Sequence, residues 1–185
     1  MKMSQKLYTI DTTLFHPNNG AILKDTSIHK ELFRFFKMNL GDEEKIKKIK
    51  IEFIAREGYT LKNIEKTDFI FTFSALLFSK RFVDKIGEIL EEEMHFFPCK
   101  VICEDVSLDW YATKITNLFP IVDESLSTYE VSDGEKVLEW AKYRTDIEEK
   151  FYIAKDHKEM AYFVVTDLFK NLCDKNELKI VFKEV

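Results

Sequence analysis

Glycine and proline are scarce, at Gly 5 and Pro 3 in 185 residues. Counts this low exclude collagen-like and linker-rich architectures, and they leave little material for a phosphate-cradling glycine loop. Cysteine is equally sparse, and three is an odd number that gives no secreted disulfide framework. The expected compartment is a reducing cytoplasm. No long apolar run is present. The longest stretch free of charged residues and of histidine, Phe69–Ser79, has eleven residues, whereas a spanning helix needs about 20. Met1–Ile10 contains lysines and no apolar core of signal-peptide length, so no membrane partner is expected. The chain has no G-x-S-x-G, no P-loop, no G-x-G-x-x-G and no H-E-x-x-H. No catalytic residue, cofactor or metal ligand is expected.

What is plentiful is phenylalanine, with 17 copies; Tyr 7 and Trp 2 bring the aromatics to 14%. The hydrophobic share is 45% and the charged share 33%. A chain so rich in apolar side chains folds rather than staying disordered. Its length suits a single domain over residues 1–185, with a core large enough to dispense with disulfides or metal. The net charge is −5, which disfavours general nucleic-acid binding, because phosphate neutralisation wants a basic surface. The acidity is unevenly placed. Asp123–Glu149 holds nine acids against Lys136, Lys142 and Arg144, a net of −6, so the rest of the chain carries +1. Two readings stand for this stretch: a solvated face with loops, or a docking surface for a basic partner, where complementary charge speeds and orients encounter. On the second reading the contact residues are Asp123, Glu124, Glu130, Asp133, Glu135, Glu139 and Trp140.

Periodicity predicts an α+β fold, with a mixed or antiparallel sheet of Phe-rich strands and amphipathic helices packed on it. Lys6–Asp11 reads as an opening strand, and His16–Gly20 as a turn cluster. Asp25-Thr26-Ser27 offers cap oxygens to a helix carrying Ile28, Leu32, Phe35 and Phe36 and ending near Leu40-Gly41. Residues 42–55 fit both periods; a short helix and then a strand from about Lys50 is the preferred reading. Phe69–Phe73 alternates as a strand with its aromatics on one face, and Ala75–Phe78 follows as a second. The clearest amphipathic helix is 79–92, capped by Ser79, with Phe82, Val83, Ile86, Ile89 and Leu90 inward. Strands are expected at Phe96–Cys103, Trp110–Thr116, Lys150–Ala154, Tyr162–Val165 and Leu178–Val185, and helices at Gly134–Tyr143 and 166–175.

An internal echo joins two of these regions. Ala75–Phe82 and Tyr162–Phe169 both read as an apolar strand, a hydroxyl cap and a phenylalanine three residues on, and each helix leads to a strand ending in valine. Generic βαβ grammar or a genuine repeated strand-helix-strand unit would each produce it.

The remaining candidates for chemistry have plain structural readings. His95, Cys99 and Cys103 share a strand face, with the cysteines about 13 Å apart at 3.3 Å per residue, too far to share an ion. Buried structural cysteine fits better, and Cys173 falls on the apolar side of its helix. His16, His29 and His157 are isolated. Glu91-Glu92-Glu93 sit at a helix C-terminus, where acids are normally solvated. Trp110 and Trp140 are either core or interface anchors.

The run Leu76-Leu77-Phe78-Ser79-Lys80-Arg81-Phe82 is followed by the Phe97-Pro98 strand and then by a Tyr111–Ile115 strand. Beyond these lie Phe119-Pro120-Ile121-Val122-Asp123 and Ser127. Tyr162 to Phe169 and Ile180-Val181-Phe182 close the pattern. Over about Asp68–Val185 this resembles the immunity-protein family of bacterial polymorphic toxin systems; the first 67 residues carry no cue. The resemblance implies a non-enzymatic cytoplasmic protein that binds a toxin domain and blocks it. That toxin would be basic if the acidic stretch is the contact. Two other readings stay open: a small enzyme with a motif-free site, such as His95 with Glu91 or Glu93, and a structural subunit of a larger assembly.

Overall fold

The computed structural model describes residues 5–11 and 20–185. Apart from Gly20, the turn cluster at His16–Gly20 lies outside them. Thirteen strands occur in the described residues: β1 (Leu7–Asp11), β2 (Ala21–Leu23), β3 (Glu52–Ala55), β4 (Phe69–Phe71), β5 (Leu76–Ser79), β6 (Met94–Cys103), β7 (Val106–Ile115), β8 (Leu118–Phe119), β9 (Thr128–Ser132), β10 (Glu135–Trp140), β11 (Ile153–Asp156), β12 (Phe163–Thr166) and β13 (Val181–Glu184). The α-helices are short: α1 (His29–Leu32), α2 (Glu43–Ile46), α3 (Leu61–Ile64), α4 (Lys80–Ile86) and α5 (Asp167–Lys175). The fold is α+β, with a six-stranded sheet in the order β2-β3-β6-β7-β5-β4 and a five-stranded sheet in the order β13-β1-β12-β11-β8. Both are mixed, because β3 runs parallel to β6 and β11 parallel to β8. β9 and β10 form a separate two-stranded ribbon.

The echo has a structural counterpart. β5 and β6 each pair antiparallel with β7, so they run parallel to one another with β7 between them. β12 and β13 stand in the same relation to β1. Each half is therefore a strand-helix-strand unit split by one antiparallel strand. Their helices meet in a shared core, where Phe82 of α4 and Phe169 of α5 are both fully buried and have ring centroids 6.0 Å apart. Burying one such side chain contributes about 1.5–3 kcal/mol. The caps differ. Ser79 Oγ accepts from Phe82 N at 3.0 Å, whereas Thr166 Oγ1 donates to Phe151 O at 2.7 Å and makes no side-chain cap.

The core between the units also contains Phe69, Phe78, Met94, Ile115, Ile153 and Val165. The opposite face of the six-stranded sheet presents Phe97, Cys99, Val101 and Cys103 to a second core closed by Leu32, Phe35 and Phe36. Phe35, Phe36 and Phe97 interlock edge to face at 5.0–5.4 Å. Pro98 is tolerated in an interior strand for a local reason. Lys100 N reaches Ile51 O across to β3, but that pairing starts only at Lys100. The missing N–H of Pro98 therefore points past the end of β3. A third core, around Ile121, Phe151, Ala154 and Val164, anchors the β9–β10 ribbon.

Several expectations need correction. Residues 26–37 are helical but in three registers: a 3-10 turn (Thr26–Ile28), α1, and a π turn (Phe33–Lys37) in which Met38 N bonds Phe33 O. The aromatics of Phe69–Phe73 do not share one buried face. Phe69 is core, but Phe71 is 41% and Phe73 73% exposed, because Thr72 leaves the strand and closes a turn onto Ala75. The 79–92 helix ends at Gly87, where a Cβ would meet Val83 O at 2.6 Å. A 3-10 turn (Glu88–Leu90) follows and shifts the phase, so Leu90 is buried and Ile89 is half exposed. The helix expected over Gly134–Tyr143 is the strand β10. Asp133 and Gly134 both adopt positive φ, at 52° and 82°, the condition of a tight hairpin turn that commits the flanking residues to strands.

Candidate functional site: an acidic hairpin

β9 and β10 carry Glu130, Asp133, Glu135 and Glu139 against the single base Lys136, a net of −3. Directly opposed residues of an antiparallel pair share a face. Leu138 opposes Tyr129 on the inner face, and both join the third core. Val137 opposes Glu130, Ser132 opposes Glu135, and after an irregularity Trp140 opposes Thr128. These form the outer face, where the Trp140 ring is 63% exposed and Val137 is also exposed. Val131, 77% exposed, lies beyond the reach of the core. Trp110, by contrast, is a core residue. Among the described residues, none of the four glutamate and aspartate side chains on the ribbon enters an ion pair. Lys136 Nζ sits 4.0 Å over the Tyr129 ring. The ribbon thus displays an uncompensated negative face around an exposed indole.

The other predicted contact residues serve the base of the ribbon. Asp123 accepts from Ser125 N and Oγ and from Leu126 N at 2.6–3.2 Å, and the Ser125 hydroxyl leads in holding its carboxyl below the usual range. Glu124 pairs with Lys158 at 2.5 Å. The two legs are tied by Asp123 N to Lys142 O, Arg144 N to Ile121 O, and the Val122–Tyr143 bridge. Burial pushes the Tyr143 phenol up to about 12.

The residue that fixes this base went unread in the sequence. Asp156, 2% exposed at the end of β11, accepts from Ile121 N and Val122 N through one oxygen and from Lys158 N and Glu159 N through the other, all at 2.8–2.9 Å. Burial opposes its charge, but the four backbone N–H groups outweigh that and hold the carboxyl below its ordinary value. Bonding to its own i+2 and i+3 amides is an Asx-turn, and Asp156-His157-Lys158-Glu159 carried that signal. Its neighbour Lys155, 3% exposed, donates to Phe36 O, Lys37 O and Asn39 Oδ1 at 2.7–3.1 Å. It ties the five-stranded sheet to the end of the π turn.

The residues weighed for a motif-free enzyme site do not converge. His95 is exposed, with Nδ1 3.6 Å from Glu43. Glu91 is exposed. Glu93 accepts from Tyr152 N and Ile153 N at 2.8 Å each, which departs from the expectation of a solvated acid; burial raises its pKa. Cys99, Cys103 and Cys173 are buried, and burial pushes the Cys99 thiol up to about 12. Among the described residues no group of three or more His, Cys, Asp or Glu is placed to hold a metal, and no helix is long and apolar enough to cross a membrane. No family model matches this chain, and no curated protein matches it.

Proposed function

We propose that this chain is an immunity protein, which neutralises a bacterial toxin domain by binding it through the β9–β10 hairpin. The observation that carries the reading is the hairpin's outer face: an exposed Trp140 on the same face as Glu130 and Glu135, neither of which has an ion-pair partner among the described residues. Tryptophan is a preferred interface anchor, and like charge on the same face steers a complementary surface toward it. The base of the hairpin, pinned by Asp156, keeps that surface pre-organised, which lowers the ordering cost of binding. The fitting partner is a basic toxin domain, as expected for one that attacks nucleic acid. Protein inhibition needs no catalytic group, and the compartment is that of the toxin's target, the cytoplasm.

The test is co-expression. The open reading frame next to this gene should encode a large protein with a variable C-terminal domain, and that domain alone should arrest growth. Co-expressing this chain should restore growth, and Trp140→Ala combined with reversal of the hairpin acids should abolish the rescue while the protein stays folded. Failure of the unaltered chain to protect against that domain contradicts the proposal.

A further inference from the structure

On the helical cap, a cleft of about 520 Å³ is lined by Lys30, Glu31, Arg34, Leu40, Asp42 and Lys45, among others. Its acids are occupied. Glu31 pairs with Lys45 at 2.7 Å, and Asp42 accepts from Glu44 N at 2.9 Å as the cap of α2. Lys30 and Arg34 are exposed, one turn apart on the same helical face, and neither has an acidic partner among the described residues. Like charges at this spacing repel one another, so the helical cap carries an uncompensated cationic pair. Beside it Leu40 is 51% exposed, and Gly41 turns the chain at φ 118°. The cleft therefore offers two cations beside an exposed leucine. The outer face of the hairpin offers the converse, an indole and a valine among glutamates.

We infer that the Lys30–Arg34 cleft is a docking site for the acidic hairpin of a second copy of this chain. Trp140 would lie on Leu40, and Glu130 and Glu135 would face Lys30 and Arg34. The contact joins unlike patches, so it closes reciprocally into a dimer or propagates as an open chain. In either form it covers the hairpin, and a toxin that engages the same face competes with self-association. The inference shares the hairpin with the proposed function but does not depend on who the toxin is.

Sedimentation velocity on the full chain tests it. At low salt the mass should rise above 22.0 kDa with concentration and return to the monomer at high salt. Reversing the cleft (Lys30→Glu with Arg34→Glu) should weaken association roughly tenfold or more, as should reversing the hairpin (Glu130→Lys, Glu135→Lys and Glu139→Lys). Mixing the two reversed proteins should restore it. A monomer at every concentration, indifference to the cleft reversal, or no restoration on mixing overturns the inference. The cleft-reversed protein should still protect against the toxin, so the failure of either proposal is read separately.

Discussion

Three buried polar side chains make the strongest claims at the scale of the residue. Asp156 gathers four backbone N–H groups. Its carboxyl is held below the ordinary value, so its contribution is present at neutral pH and is lost as pH falls through the carboxylate range. Asp156→Asn leaves two donors facing an amide N–H₂ and should cost about 1–3 kcal/mol at neutral pH. The check is a urea titration, and the variant should also show a flatter acid limb. Lys155 also has its value lowered, but because its charged form is disfavoured rather than favoured. Burial lowers it to about 7 from 10.5, with Lys37 and Lys114 adding repulsion. The unfolded chain then holds more protons between those values, so the stabilising effect of rising pH appears between about 7 and 10.5. The stability difference between wild type and Lys155→Met should therefore move in favour of wild type from about pH 6 to about pH 9; a constant difference contradicts the assignment. Thr113 Oγ1 is buried on β7 with no hydrogen-bond partner among the described residues. Thr113→Val should be neutral or stabilising by up to about 1 kcal/mol, and a loss of stability would show that the hydroxyl is satisfied.

The amphipathic helices are the test case at the scale of the element. Phe82 lies in the core shared by α4 and α5, and Phe82→Asp places an unpaired charge there; circular dichroism should show an unfolded chain. Ile89→Asp, seven residues further along the same expected stripe, should leave it folded, because the Gly87 break turns that side chain outward. The periodicity of 79–92 revealed the helix and four of its five inward residues, but it could not reveal how tightly the chain at Gly87 closes on the Val83 carbonyl four residues back. The echo was legible because its apolar strand, hydroxyl and phenylalanine are local features. The β7 and β1 strands inserted into the two units were not, since pairing across the sheet leaves no mark on neighbouring residues. Asp133-Gly134 was legible in principle: the dipeptide announces a hairpin, but Val137, Leu138 and Ala141 at helix-like spacing pointed the other way.

At the scale of the whole molecule, charge is segregated onto different elements. Seven of the nine acids of residues 123–149 divide between two jobs. Asp123, Glu124 and Asp146 are engaged at the base of the ribbon, with Ser125, Lys158 and Arg144 respectively. Glu130, Asp133, Glu135 and Glu139 project from it. Composition located the acidic stretch, because local charge is read directly from the chain. It could not separate engaged from projecting acids, since those partners lie up to 34 residues away, as for Glu124 and Lys158. Asp156 and Lys155 were missed for the same reason: their acceptors and donors come from the 36–39 turn and the 121–122 segment. Among the described residues phenylalanine proved mainly structural, filling the core between the two units and interlocking in the core beneath α1, while Phe71 and Phe73 are the outward exceptions.

The association rate of this chain with the toxin domain that the proposal expects to be encoded beside it carries the most weight, measured by stopped flow for wild type and for the variant with Glu130, Asp133, Glu135 and Glu139 reversed to lysine. The hairpin account predicts a rate lower by roughly tenfold or more at low salt, a gap that narrows as salt rises, and an unchanged urea midpoint. An unchanged rate in a folded variant would contradict it.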